Sequence, residues 1–467
     1  MLAHAAVGQE AEPAAEREDP RALRIRRIAR MAGPVSESVA GRYGLDKTSA
    51  DSLRQSLRAS LLALADDTSA REELVATMAR AGSGGLNAIL VALLSQPTLK
   101  AALAEQLTAE QLRDYVGSHE ARQRRDRHAA HRYIMVWAED HFLLMPDQRA
   151  EMERSLDAYA DDKGRVFAKG MVWNQELHGL LRGAVEPSAD SLLSEAQLVL
   201  WRALLPPLDA DREKIMAMVR AGEMTREQAG QRLEAMDREA ADNDERGRQD
   251  AARAVAAARL MTHMQQLGSL DDSATQRLAL VAKGAVERHL DDQSSDADER
   301  VRAAEAQMMA AVEGGLMTRE QLEERLGGLR QQIRGEQRAA TGDVTEDLLY
   351  QQTIEDVLSE EAYAQYEERR AQRHAAREQA SRDLAAACVD SHLLLADDQR
   401  QRVEAIAAEL AVPSEMDGVP STPFVLYDLA QRTDRELLSP WQQDQLQAMG
   451  RELGFDRIEW MRGEGRD

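Results

Sequence analysis

This sequence predicts an all-α fold of repeated antiparallel helical hairpins and long amphipathic helices, with no significant sheet. A strand-poor composition, a recurrent helix-start motif and a long internal repeat predict it.

Hydrophobic residues make up 43% of the 467 positions, enough for a core and too many for a disordered chain. Aromatics are only 4%, so Ala, Leu, Met and Val must fill that core. Ala, Leu, Glu, Gln and Arg dominate, while the β-branched and aromatic strand formers are sparse.

The helix-start motif is Leu or Met, then Thr or Ser, two residues, and Gln. It occurs at Leu107-Thr108…Gln111, Leu193-Ser194…Gln197, Met224-Thr225…Gln228 and Met317-Thr318…Gln321, with the variant Leu438-Ser439-Pro440-Trp441-Gln442. The hydroxyl accepts from the third helical N–H, and the Gln reaches back to the cap residue's own N–H. The preceding Leu or Met staples to the first turns. Gly222 and Gly315 stand two residues earlier, where a preceding helix would end.

The long repeat pairs Leu107-Thr108…Tyr115 with Leu358-Ser359…Tyr366 at an offset of 251, with Ala362 in place of the Gln. His141…Asp147-Gln148-Arg149 matches His392…Asp398-Gln399-Arg400 at the same offset. Between them Arg127-His128 matches Arg373-His374 at 246, which reads as a local slip. Gln266–Arg277 is a looser third copy, and Gly222–Leu233 pairs with Gly315–Leu326.

The expected organisation is a disordered leader remnant over 1–20 and an N-terminal helical region over 21–105, opened by a basic helix around Arg21–Arg30. A hairpin unit with an Arg/His-rich helix follows over 106–190, then central hairpins with two Met-Thr-Arg-Glu-Gln copies over 191–340. Residues 341–411 repeat 106–160, and a linker and C-terminal hairpin fill 412–467. Breaks are expected at Gly183–Ser188, Pro206–Asp209, Asp291–Asp296, Ala339–Asp343 and Val412–Pro423.

The net charge of −23 argues against nucleic acid as a partner, since phosphate binding needs clustered Lys and Arg. The longest apolar stretch, Leu86–Leu94, is about half the length of a membrane span, so no stable membrane insertion is expected. Cys388 cannot form an intramolecular disulfide and reads as a buried small hydrophobe. Ala3-His4-Ala5 looks like the end of a truncated signal peptide.

Histidines concentrate at His119, His128, His131 and His141. His128 and His131 have the i, i+3 spacing of a metal-chelating pair and are the candidate ligands, without an identified third. Five nearby arginines, including Arg122 and Arg125, repel a cation, so the segment reads first as a solvated polar face. His141 and His392 recur in the last turn of a helix, where imidazole suits the dipole and the terminal carbonyls. Met261, His263 and Met264 mix soft Cu(I)-type ligands, as do Met216, Met218, Met224 and Met236, although methionine here also serves as core filler. Carboxylate pairs such as Asp66-Asp67 and Asp271-Asp272 fit helix caps. No phosphate-binding loop, nucleophile elbow or metalloprotease motif occurs, and neither catalytic residues nor cofactors are expected.

The Leu-Thr-x-x-Gln starts at 107–111, 193–197, 224–228 and 317–321 resemble the LTxxQ-motif bacterial envelope proteins, the Spy/CpxP-like helical hairpins. The long repeat resembles large exported bacterial proteins carrying such hairpins. The resemblance implies a periplasmic or envelope location and a possible homodimer; a cytoplasmic location is the alternative. The expected function is a non-catalytic helical interaction or scaffold protein, chaperone-like, holding a protein partner or unfolded client in amphipathic grooves. The alternatives are a metal-binding protein using the His119–His141 segment and an enzyme of unrecognised type.

Overall fold

In a computed structural model the described residues are 28–81, 85–163, 177–205, 245–268, 270–313, 344–413 and 421–455, with isolated positions in 215–232 and 318–327 and at 458. The structure is 88% helical, and no strand occurs among the described residues. The leader, most of the basic helix, Pro206–Asp209, Gly222, Gly315, Met317, Gln321, Ala339–Asp343, Met216 and Met236 lie outside them.

The first half runs through α1 (Ala32–Tyr43), α2 (Lys47–Asp66), α3 (Thr68–Ala81), α4 (Gly85–Leu94), α5 (Pro97–Ala104) and α6 (Ala109–Phe142). It continues with α7 (Pro146–Lys163), α8 (Leu177–Val185), α9 (Ala189–Leu192) and α10 (Glu195–Leu204). The second half comprises α11 (Glu245–Gln266), α12 (Asp272–Glu313), α13 (Leu348–Val357), α14 (Glu360–Leu393), α15 (Asp397–Glu409), α16 (Ser421–Arg432) and α17 (Pro440–Leu453).

The motifs start helices as their chemistry requires. Thr108, Ser194 and Ser439 each form a reciprocal capping box with Gln111, Gln197 and Gln442, and Pro440 occupies the first turn of α17. Thr225 and Gln228 exchange the same two bonds at 3.0 and 3.2 Å. Ser359 accepts from Ala362 N, but alanine has nothing to return. Asp46, Asp67 and Asp271 cap α2, α3 and α12 through backbone N–H groups three residues on. The expected break at Asp291–Asp296 is overturned: α12 runs unbroken from Asp272 to Glu313. That stretch has no Gly or Pro, and Asp and Ser lower helix propensity without interrupting the hydrogen-bond ladder.

α6 and α14 are both 34 residues long, each ending in a left-handed leucine, Leu143 (φ 50°) or Leu394 (φ 51°). No slip separates them, so the 246-residue match of His128 with His374 is a coincidence of composition, and the register is 251 throughout. The two helices cross antiparallel, with Arg132 bonded to Asp383 at 2.8 Å.

Around that pair the halves follow an approximate two-fold. Arg377 donates to Asp140 at 2.9 Å, and at the equivalent positions Ser391 donates to Asp126 at 2.7 Å. The flanking elements correspond too. Turns at Gly44 and Gly268, both at positive φ, join α1 to α2 and α11 to α12. Tyr115 and Tyr366 sit in the two outer clusters, formed by α1, α2, α4 and α5 and by α11, α12 and α13. The central core draws on α6, α7, α8 and α10 together with α14, α15, α16 and α17. The boundaries expected at 190 and 411 therefore do not separate cores: the repeats at 106–160 and 341–411 bury one another.

Candidate functional site

The densest chemistry lies where the first half of α6 meets the end of α14. Residues Tyr115, His119, Arg122, Asp126 and Ala129 continue one buried stripe with heptad spacing. The solvated polar face expected here is thus partly overturned. His128 is exposed, but His119, Arg122 and Asp126 are 1%, 5% and 1% exposed because α4 and α14 cover them.

Arg122 anchors the group. Its Nε donates to Asp390 Oδ1 at 2.7 Å and its Nη2 to Leu395 O at 2.7 Å. Arg125 donates to the other Asp390 oxygen at 3.0 Å. Such a pair offsets the cost of burying both charges only because geometry and hydrogen bonding are complete. His119 Nδ1 lies 2.7 Å from Asn87 Oδ1, and Asn87 donates back to His119 O at 3.3 Å. Burial, then the Arg122 guanidinium, lowers His119 to about 3, so the ring is neutral. Burial raises Asp126 to about 8, aided by Asp390 and opposed by the Ser391 hydrogen bond and by Arg122 and Arg125. Asp126 Oδ1 and His119 Nε2 have no hydrogen-bond partner among the described residues.

The opposite end of the crossing is more open. A shallow cleft is lined by Tyr133, Val136, Trp137, Asp140, His141 and Arg377. Trp137 stacks on His141 with centroids 3.9 Å apart. His141 and His392 both direct Nδ1 to the carbonyl four residues earlier, at 2.8 Å. Both rings stand in the last turn, as their recurrence predicts, but each meets a carbonyl within the helix rather than one of the unpaired terminal ones. Cys388 Sγ lies farther from the same His392 Nδ1, at 3.7 Å, than Cys388 O does.

Two glutamine clasps hold the helix ends beside these sites. Gln148 and Gln197 donate to each other at 2.8 and 2.9 Å, and Gln197 also donates to Phe142 O and Leu143 O. In the second half Gln399 and Gln442 exchange bonds at 3.0 Å, and Gln442 donates to Leu393 O. The motif glutamine therefore both closes a capping box and ties α10 or α17 to the end of the long helix.

The metal candidates separate. His131 Nδ1 faces Asp157 of α7 at 3.2 Å, while His128 points to solvent one turn away. Met261 is 56% exposed, whereas His263 is buried against Tyr350 at 3.2 Å, so these two do not converge. Among the described residues no three His, Cys, Asp or Glu side chains gather where they could hold a metal ion. No helix there is long and apolar enough to cross a membrane.

Sequence reasoning noticed His119 and Arg122 but missed their partners Asn87 and Asp390, and the Asp126–Ser391 contact beside them. The available signal was the unbroken heptad spacing from Tyr115 to Tyr133, which places 119, 122 and 126 on the buried face. Compared with known proteins, the chain matches no family model, no curated protein and no solved structure.

Proposed function

We propose that this chain is a non-catalytic helical scaffold that binds a protein partner through the exposed apolar faces of α11, α12 and α13. The observation that carries the reading is the placement of the most exposed large apolar side chains among the described residues. Leu280 on α12 is 75% exposed, Leu348 and Leu349 on α13 are 73% and 49%, and Met261 on α11 is 56%. A shared apolar patch is the usual mark of a protein-binding surface, and α12, which carries Leu280, packs against both α11 and α13. Ion pairs hold α12 and α13 together, Arg288 with Asp347 at 2.8 Å and Arg277 with Asp356 at 3.6 Å, so that surface is presented on a braced pair. Flexible leucine and methionine side chains suit helix-in-groove recognition and the adaptable contacts a client-holding protein needs. The acidic remainder keeps such a surface soluble. An envelope location and a periplasmic chaperone role are the forms of this reading that the Leu-Thr-x-x-Gln likeness favours.

The test is site-specific photo-crosslinking in the source cell, with the probe at Leu280 or Leu348 and a control probe at Leu62 on α2. Adducts formed at the first two positions and lost in Leu280→Glu/Leu348→Glu support the proposal. Equal labelling from all three positions, or adducts that survive the double substitution, overturns it.

A further inference from the structure

The approximate two-fold exposes an inequality. Asp140 and Arg377, at one end of the crossing, form an ion pair with side chains 32% and 29% exposed. At the other end their equivalents are Ser391 and Asp126, enclosed at 0% and 1%. The arginine has become the carboxyl, and the former carboxyl has become a hydroxyl. Asp126 therefore sits where its own repeat would supply a cation, and none replaces it.

The groups that face it leave no spare positive charge. From α6 come His119, Arg122 and Arg125; from α14, Asp390 and Ser391; from α4, the neutral Asn87. Arg400 of α15 lies within electrostatic reach of Asp390. Arg122 and Arg125 are both bonded to Asp390. Ser391 satisfies Oδ2, and Oδ1 is buried without a partner among the described residues. A second carboxylate here would face Asp390 across a site closed to water, and an unpaired buried charge of that kind is not tolerated.

We propose that Asp126 is a proton-controlled latch: neutral, it seats the His119–Asp126 stretch of α6 against α14 and α4, and ionised, it loosens that end of the crossing. Burial, which holds the group to about 8, supports this reading. Opening exposes the carboxyl to water, where it ionises at its ordinary value near 3.8. Each pH unit between those values thus favours the open form about tenfold. His119 opposes it below 6.5, because opening also lets the ring take up a proton. The net rise in opening falls between pH 6.5 and pH 8.

Two measurements on the full chain test the latch. Infrared difference spectra of wild type against Asp126→Asn at pH 7 should show one protonated side-chain carboxyl band, and its absence overturns the proposal. Amide exchange over 119–130 and 384–395, corrected for intrinsic pH dependence, should show opening increase by about eightfold between pH 6.5 and pH 8. Asp126→Asn should abolish that increase. Should that variant not fold, Asp126→Arg/Ser391→Asp, which installs the pair of the other end, serves in its place. An increase that persists in the variant, or no increase in wild type, overturns the latch.

Discussion

Arg132 and Asp383 occupy the same place in the repeat, 251 residues apart, and they bond to each other at 2.8 Å. A residue that meets its own repeat equivalent lies on the axis relating the copies, so this pair marks the centre of the crossing. With side chains 44% and 32% exposed, it adds only about 0.2–1 kcal/mol. Because the position is self-equivalent, Arg132→Asp/Asp383→Arg should regain most of what either single charge reversal loses. Chemical denaturation of the four proteins in a double-mutant cycle checks this.

The buried titrating groups should shape stability against pH with opposite signs. His119 is depressed when folded, so its contribution is present above about 6.5 and lost as pH falls towards about 3. Asp126 is raised when folded, so its contribution is full below 3.8 and lost as pH rises to about 8. Between 3.8 and 6.5 the two proton differences cancel, and stability from this site should be flat there and decline from 6.5 to 8. His119→Gln should uncover the Asp126 slope, so that stability falls continuously from about pH 4. Urea titrations at half-unit pH steps, with Asp126→Asn as the reference, show which profile holds.

Glutamine at the third helical position has two grades of importance. Gln197 is 2% exposed and reaches Phe142 O, Leu143 O and Gln148 besides closing its box. Gln228 is exposed and, among the described residues, only closes its box. Gln197→Ala strands several buried groups and should cost about 2–4 kcal/mol. Gln228→Ala should cost about 0.5–1 kcal/mol, as for a lost cap contact. Thermal unfolding of the two variants should separate them by several degrees.

Leu394 stands in a conformation that favours glycine, yet it is 5% exposed and packs into the N-terminal cluster. The left-handed backbone costs about 1–2 kcal/mol, and burying leucine returns about 1.5–3 kcal/mol. On the central values Leu394→Gly should therefore destabilise the protein, by about 1 kcal/mol, rather than relieve it, and equilibrium denaturation reads the sign directly. Gly44, at φ 65° on a comparable turn, should respond differently: Gly44→Ala adds strain without gaining a buried side chain.

Much of the helical framework was legible along the chain because its signals are local. A hydroxyl, a glutamine three residues on and a preceding Leu or Met decide where α6, α10 and α17 begin, whatever packs on them. The recurrence of His141 and His392 before an Asp-Gln-Arg start likewise marked two equivalent helix ends. Local propensity misled at Asp291–Asp296, where poor helix formers suggested a break but nothing blocked the backbone.

By itself, the sequence determined the all-helical class, the capped helix starts and the 251-residue duplication, since each rests on contacts within a few residues or on plain likeness between segments. Only the tertiary structure decided that the duplicated helices pack on each other antiparallel around Arg132 and Asp383. It also decided that His119, Arg122 and Asp126 are buried rather than solvated. A side chain's protonation and partners depend on which helix covers it, and Asp126 meets Ser391 265 residues away along the chain, beyond anything local spacing can specify.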